Sequence, residues 1–405
     1  MKEISLYVHI PFCVKKCDYC DFLSGVYDEQ MQREYTNSLC REIAYMGQQL
    51  EAVAVSSIYI GGGTPSWLNI AETEKMMQAL HASFAIRPDA EITIECNPGT
   101  VTWDKFASYR KMGINRLSIG LQSANDDELA LLGRVHTYER FLHTYDMARK
   151  SGFYNINVDV MTGLPGQTLD KLMHTLTQVI ALRPEHISAY ALMVEEGTPF
   201  YERYKFDAVL QHAGKQTEFL PNEDEEYRLY KMTQQVLQEH GYHQYEISNY
   251  AREDYECFHN TVYWTRRPYL GLGLGAASLL EEKRTSNVRD IYVYCQRCNG
   301  LSQAERDEHD IVSPLWDEVT ELSRKDAMEE FMFLGLRMNR GVKRTDFTDT
   351  FGCSIEAVYG DVLKRLREEA LLVLDGGRFY LTERGQDLSN YALAQFLLED
   401  ETDLS

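Results

Sequence analysis

The chain has 405 residues, 44% of them hydrophobic and 25% charged, and a formal net charge of −21. That length exceeds an average domain and suits a large α/β barrel with a smaller appended module. The acidity excludes nucleic-acid binding driven by counterion release, and no apolar stretch long enough to span a membrane and no signal-peptide core is found, so a cytoplasmic protein with at most peripheral membrane contact is expected.

Strands are predicted at Ser5–His9, Ser56–Ile60, Glu91–Glu95, Arg116–Gly120, Asn155–Met161 and His186–Ala191. Helices are predicted between them at Glu29–Gln49, Glu72–Phe84, Asp104–Met112, Tyr138–Lys150 and Leu169–Leu182. This alternation predicts an α/β fold, a partial (β/α)6 TIM-like barrel with a parallel sheet. From Val194 to Asn222 the pattern is irregular, with Gly197, Pro199 and Pro221, and a helix follows over Asp224–Glu239. The aromatic-rich Gly241–Tyr269 is expected across the barrel mouth, and the periodicity beyond Gly275 reads as mainly helical. A soft boundary near Thr285 divides a barrel unit, 1–285, from a C-terminal unit, 286–405.

In that second unit, helices near Lys325–Leu336, Asp346–Phe351 and Ile355–Glu369 precede an extended pair, Leu371–Leu374 and Arg378–Thr382, joined by Gly376-Gly377. Helices followed by a Gly-tipped hairpin read as a winged-helix-like module. Its acidic residues outnumber its basic ones, which suits a protein contact better than DNA. Only the acidic tail Glu399–Ser405 has the composition of a disordered segment.

Chemistry in such barrels sits at the carboxyl ends of the strands, and the unusual residues gather there. Cys13-x3-Cys17-x2-Cys20 follows the first strand. Three soft thiolates on one loop can hold three irons of a 4Fe–4S cubane and leave the fourth open. A structural zinc site would need a fourth ligand, normally from a second knuckle, and a disulfide is disfavoured by compartment and by an odd total of nine cysteines. Gly61-Gly62-Gly63 follows the second strand, where the missing Cβ atoms permit close backbone approach or simply a tight turn. Glu95 ends the third strand, Gln122 follows the fourth, and Asp159 lies in the fifth. Cys295-x2-Cys298 is a lone pair on a predicted helix, and Cys40, Cys96 and Cys353 read as small buried residues.

The cysteine block together with Gly61-Gly62-Gly63-Thr64-Pro65 resembles the radical-SAM superfamily. In that family S-adenosylmethionine chelates the open iron, and an electron from the cluster cleaves its sulfonium to a 5′-deoxyadenosyl radical. Similarity to the oxygen-independent coproporphyrinogen III oxidase-like branch extends over nearly the whole chain. It is carried by Ile94-Glu95-Cys96-Asn97-Pro98, Gly120-Leu121-Gln122-Ser123, Leu132-Gly133-Arg134 and Asp159–Thr168. The resemblance implies a 4Fe–4S cluster on Cys13, Cys17 and Cys20. It also implies an S-adenosylmethionine site of Tyr7, Gly62, Gly63, Thr64, Glu95, Gln122, Arg134 and Asp159. An arginine that can fork onto a carboxylate and acids suited to ribose hydroxyls make chemical sense of that set, although each residue alone could equally cap a helix.

His259-Asn260-x2-Tyr263-Trp264 matches the HNxxYW signature of the HemW-type heme chaperones in this branch, a segment linked there to heme. The resemblance makes His259, Asn260, Tyr263 and Trp264 candidate heme-binding residues; read alone, the segment is equally a packed loop with a hydrogen-bonded histidine. The oxidases of the branch carry a further cysteine two places after the third ligand, where this chain has Phe22, and an extension ahead of the cysteines, where it has twelve residues. Both departures favour a chaperone that binds heme and delivers it to acceptors such as respiratory cytochromes, with a homodimer as a candidate assembly. The alternatives are oxidative decarboxylation of coproporphyrinogen III, another tetrapyrrole-modifying radical-SAM reaction, and a heme-free regulatory winged-helix protein.

Overall fold

Six parallel strands stand side by side in chain order: β1 (Glu3–Ile10), β2 (Ala54–Gly62), β3 (Ala85–Cys96), β4 (Arg116–Gln122), β5 (Ile156–Thr162) and β6 (His186–Ala191). The structure is a computed structural model and describes residues 3–50, 53–301 and 311–398; the acidic tail from Glu399 lies outside them. One face of each strand is apolar. Leu6, Val8, Ile58, Ile60, Ile92, Ile94, Leu117, Ile119, Val158, Val160 and Ile187 all join one buried core. Against that face lie α1 (Glu29–Gln49), α2 (Ile70–Ser83), α3 (Trp103–Lys111), α5 (Tyr138–Lys150) and α6 (Leu169–Leu182), while the short α4 (Asp126–Leu131) leads to Leu132 in a separate cluster with Tyr19 of the cysteine loop. Alternate positions point to the barrel interior and are mostly polar: Ser5, Tyr7 and His9 on β1, Ser57 and Tyr59 on β2, Glu91, Thr93 and Glu95 on β3. The same holds for Arg116 and Ser118 on β4, Asn157 and Asp159 on β5, and His186 and Ser188 on β6.

Local sequence starts each crossover helix. Thr102, Thr137 and Thr168 occupy the N-cap positions of α3, α5 and α6, each hydroxyl accepting the N–H of Lys105, Arg140 or Lys171 at 3.3 Å. A Thr cap of this kind contributes about 1 kcal/mol and fixes where the chain turns from loop to helix.

Three segments depart from the sequence expectations. The irregular stretch contains α7 (Pro199–His212) ahead of α8 (Glu223–Glu239), with Pro199 in the first turn and Thr198 capping it. Beyond Gly275 the chain is first extended, not helical. The sequence β7 (His243–Gln244), β8 (Asn249–Ala251), α9 (Phe258–Trp264), β9 (Tyr269–Leu272), β10 (Ala277–Leu280), β11 (Lys283–Asn287), α10 (Ile291–Asn299) and β12 (Trp316–Glu321) completes a twelve-stranded sheet in the order β12-β11-β10-β9-β1-β2-β3-β4-β5-β6-β8-β7. The division expected at Thr285 therefore falls inside β11, because the polar edge strands carry too few apolar residues to show strand periodicity. Third, Gly241–Tyr269 does not cross the mouth. Its helix α9 packs beside β2 near Ser57, at the amino end of the barrel.

A second, smaller core begins at Ala327 and includes Met332, Phe347, Ile355, Leu363, Phe379 and Phe396. It is built from α11 (Arg324–Gly335), β13 (Val342–Lys343), α12 (Arg344–Phe351), α13 (Ile355–Glu368) and the hairpin β14 (Leu372–Asp375) and β15 (Arg378–Leu381). Gly376 and Gly377 both take positive φ, 54° and 78°, the geometry of a tight two-residue hairpin turn.

A buried carboxyl ties the barrel to its sheet extension. Glu42 on α1 accepts the N–H of Gly273 at 2.7 Å, the side-chain amide of Asn287 at 2.6 Å and the hydroxyl of Tyr294. Burial pushes its carboxyl up to about 7, against the pull of those three donors. The unfolded chain loses that proton near 4.5, the ordinary value for a glutamate, and the folded chain near 7. Folding then takes up a proton between those values, so the stability that the raised value brings is complete below the lower one and is lost as pH rises through the higher one. We predict that Glu42→Gln, which does not titrate, is less stable than wild type by about 1–3 kcal/mol in acid. Denaturant titrations should show that gap shrinking from pH 4.5 to 7, by at most about 1.4 kcal/mol per unit. A gap that is constant across the window would contradict the assignment.

Candidate cluster and cofactor site

The parallel pairing of β1 with β2 reaches Ile10 opposite Gly62, and backbone bonds carry it further. Gly63 donates its N–H to Ile10 at 2.8 Å and Thr64 to Phe12 at 2.7 Å. Phe12, fully buried with its ring edge-on to Tyr27 and Tyr35, anchors the start of the cysteine loop. The loop is fastened again by Cys13 N–H to Gly25, Cys20 N–H to Cys17 and Asp18 N–H to Leu132. Asp18 also meets Arg203 of α7 at 2.8 Å, and Tyr19 packs against Phe200. The result is a fixed loop with three free thiols on one side: Cys13 buried, Cys17 and Cys20 half-buried.

These thiols line a cavity of about 340 Å³ at the carboxyl ends of the strands. Gly62, Gly63, Thr64, Glu95, Gln122, Arg134 and Asp159 line the same cavity, so the barrel brings together seven of the eight residues expected at the cofactor. Tyr7 is the exception. It stands one layer deeper, its hydroxyl bonded to His9 Nδ1 at 2.9 Å and its ring stacked on Tyr59, so it reaches the cavity only through that neighbour.

The wall has a sharp chemical division. Thr64 Oγ1 donates to Cys13 Sγ at 3.5 Å, and Arg134 Nη1 to Cys17 Sγ at 3.6 Å. Arg134 Nη2 is held by Asn97 Oδ1 at 2.7 Å and Gly120 O at 2.8 Å, while its Nε is buried with no partner in the protein. Across the cavity are two acids. Glu95 takes the Tyr59 hydroxyl on Oε1 at 2.9 Å and the Gly62 N–H on Oε2 at 3.0 Å; burial, then the charge of Asp159, pushes its carboxyl up to about 7. Asp159 is raised by burial, opposed by donors from Asn157 at 2.7 Å and Ser118 at 3.2 Å.

Two backbone features belong to this cavity. A Cβ on Gly63 would lie 2.9 Å from Phe12 O and 3.1 Å from Cys13 Sγ, so only glycine lets the β2 end approach the thiols. Gln122 ends β4 with φ of 76°, at a bulge in its pairing with β5. A non-glycine residue in that region is strained, and such strain collects at functional sites.

The donor set fits an iron–sulfur cubane with a chelating cofactor. Among the described residues no three His, Cys, Asp or Glu side chains gather around one metal ion. A cubane asks for something different, three thiolates each on its own iron. The open Nε of Arg134 and the paired acids on the far wall suit a small zwitterion with a ribose. Sequence reading did not assign Asn97, Tyr59, Ser118 or Tyr190, which also line the cavity. Asn97 lies in a motif already noted, and Tyr59 follows from counting two residues back from Gly61 on the same strand face.

The four candidate heme residues lie elsewhere. His259 is 1% exposed at the opposite, amino-terminal end of the barrel. Its Nδ1 is bonded to Ser57 Oγ and its Nε2 to the Tyr263 hydroxyl, each at 2.9 Å, and burial lowers its pKa to about 3. Both ring nitrogens are thus engaged by neighbouring side chains. Asn260 is half-buried on the same helix, and Trp264 faces the second unit, with the Arg337 guanidinium 5.0 Å from its ring centre. Cys295 and Cys298 are buried on α10.

Comparison with known proteins agrees with this architecture. The radical SAM superfamily matches residues 7–179 and the HemN C-terminal domain residues 322–388. The chain is similar to the heme chaperone HemW of Bacillus subtilis, with 35% identity covering 98% of this chain and 99% of that one. It is also similar to the heme chaperone HemW of Lactococcus lactis, with 33% identity covering 98% of both. Among solved structures, coproporphyrinogen III oxidase (HemN) from Escherichia coli, a radical SAM enzyme, superposes with a TM-score of 0.82 at 25% identity, over 98% of this chain and 90% of that one. A cysteine loop and glycine-walled cavity at the mouth of a partial barrel, followed by the second core, thus occur in a chain that belongs to the radical SAM superfamily and, within it, to the HemW family.

Proposed function

We propose that the protein is a heme chaperone, which takes up heme and passes it to heme-accepting proteins, respiratory cytochromes among them. What supports this reading most is end-to-end similarity to proteins of that name, at 35% identity, against 25% for the coproporphyrinogen oxidase. The exposed Phe22 stands where those oxidases carry a further cysteine, which points the same way. We place the protein in the cytoplasm. Among the described residues no helix is long and apolar enough to cross a membrane, and contact with membrane-bound acceptors would be peripheral.

In this reading Cys13, Cys17 and Cys20 hold three irons of a 4Fe–4S cluster. Gly62, Gly63 and Thr64 seat the methionine end of S-adenosylmethionine, with Arg134 on its carboxylate; Glu95, Gln122 and Asp159 take its amino and ribose groups. Bound there, the cluster supplies a low-potential electron to the sulfonium. The chain's own part is to hold these groups, to set the Arg134 guanidinium beside Cys17 and the Thr64 hydroxyl beside Cys13, and to keep the cavity narrow. The boundary between the units is best set near Leu322, where the large sheet ends and α11 begins.

The second reading, oxidative decarboxylation of coproporphyrinogen III, is favoured by the shared fold. The two separate in one anaerobic experiment. The full chain with its cluster restored and reduced, given S-adenosylmethionine, is offered heme and coproporphyrinogen III in parallel. Stoichiometric heme uptake with no new vinyl groups is expected; protoporphyrinogen formation would replace the chaperone by the oxidase.

Two variants test the site. Cys17→Ser should lose the charge-transfer absorbance of the cluster and most bound iron, and zinc in its place would refute the cubane. Gly63→Ala should cost about 1–3 kcal/mol of stability through its clash with Phe12 and Cys13, and should abolish S-adenosylmethionine binding. Unaltered binding in a calorimetric titration would show that β2 does not seat the cofactor.

A further inference from the structure

His259 has a second neighbour besides its two hydrogen-bond partners. Its ring lies over that of Tyr59, with centroids 5.3 Å apart and planes 29° from parallel. Tyr59 also stacks against Tyr7, with centroids 6.4 Å apart. Its ring thus meets two others, and its hydroxyl points at Glu95 Oε1. The carboxylate it meets also accepts from Gly62, the glycine at the end of β2. A short chain of contacts therefore runs from the signature helix to the wall of the cofactor cavity: Tyr263, His259, Tyr59, Glu95, Gly62.

The polarity of that chain is fixed. Ser57 Oγ gives its proton to Ser5 Oγ at 2.8 Å and therefore accepts from His259 Nδ1–H. Nε2 then accepts from the Tyr263 hydroxyl. The helix is fixed as well, since Glu91 accepts the N–H groups of Phe258 at 3.2 Å and His259 at 3.1 Å. An imidazole bound at both nitrogens, pinned at its backbone and laid flat on a tyrosine is built to hold that tyrosine.

We propose that His259 is a positioning residue for the cofactor cavity, holding Tyr59 so that its hydroxyl fixes Glu95 and, through it, the Gly62 end of β2. The inference rests on the reading that this cavity takes S-adenosylmethionine. It assigns the signature histidine to the seat of that cofactor and not to the iron of heme. Glu95 needs such a donor because Asp159 stands across from it and burial withholds water. Without the Tyr59 hydroxyl one oxygen loses its partner and the carboxylate is free to turn from Gly62.

The test uses the full chain with its cluster restored, and S-adenosylmethionine as the probe. Binding is read from the change it makes in the electron paramagnetic resonance spectrum of the reduced cluster, and hemin uptake from the Soret band. Tyr59→Phe removes one oxygen and should weaken S-adenosylmethionine binding about tenfold, the scale of one hydrogen bond to a charged group. His259→Ala should do the same, and His259→Phe, which keeps a ring over Tyr59, should recover part of the loss. Hemin uptake and its Soret position should not move in any of them. If His259→Ala does not fold, Tyr59→Phe and His259→Phe still decide. S-adenosylmethionine affinity equal to wild type in Tyr59→Phe, or a lost or shifted Soret band in His259→Phe, overturns the proposal. A wild-type protein whose spectrum ignores S-adenosylmethionine would instead sink the reading of the cavity.

Discussion

The geometry of the site depends on one backbone arrangement, the continuation of the β1–β2 ladder beyond the ends of both strands. Gly63 N–H to Ile10 and Thr64 N–H to Phe12 hold the glycine-rich turn against the first residues of the cysteine loop. The approach is too close for any side chain at Gly63. With the two segments locked, the thiols and the backbone of β2 face one space, and the other strands add their polar ends to it. Loosening the ladder by one residue would turn every inward residue of β1 outward, exchanging Ser5, Tyr7 and His9 for Leu6, Val8 and Ile10. Register and site are one constraint.

The barrel interior is unusual for parallel strands, which generally bury apolar residues on both faces. Here the helix-facing side is apolar and the inner side carries charged and hydroxylated groups in layers. At the mouth are Glu95 and Asp159, in the middle Tyr59 and Tyr7, at the floor Glu91, Arg116, His186 and His259. Burying such groups costs several kcal/mol each unless they are paired, and most of the floor groups are, although Arg116 Nε has no hydrogen-bond partner in the protein. His186 meets Asn157 at 2.7 Å and the Tyr245 hydroxyl at 2.8 Å, and Arg116 lies 3.9 Å from Glu91. α9 fits into this network as its plug, which explains why a polar histidine lies so deep.

The parts legible in the sequence are those written in local pattern. The six strands, five helices and the Gly376-Gly377 hairpin follow from periodicity and turn residues, and the cysteine loop from ligand spacing. What was not legible depends on distant packing. Nothing local to His259 shows that it lies under Tyr59, two hundred residues earlier in the chain. Lys283–Asn287, in a stretch that reads as mainly helical, shows no strand pattern because β11 draws its order from β10 and β12 on either side. Tyr7 was expected at the cofactor from the family resemblance, yet Tyr59, its partner in register, takes the position on the cavity wall.

The end of α9 carries a further consequence. Arg266, just beyond Trp264, takes a left-handed backbone with φ of 53° and sends its guanidinium to Glu282 on the β10–β11 turn and to Glu330 on α11 at 2.9 Å. Glu330 is also met by Arg284 at 2.8 Å. Arg266 and Glu330 are almost wholly shielded from water, and each has a second partner, so the four residues form one charge-balanced network across the units. Together with Trp264 against Arg337, this fastens the second unit to the helix that plugs the barrel floor.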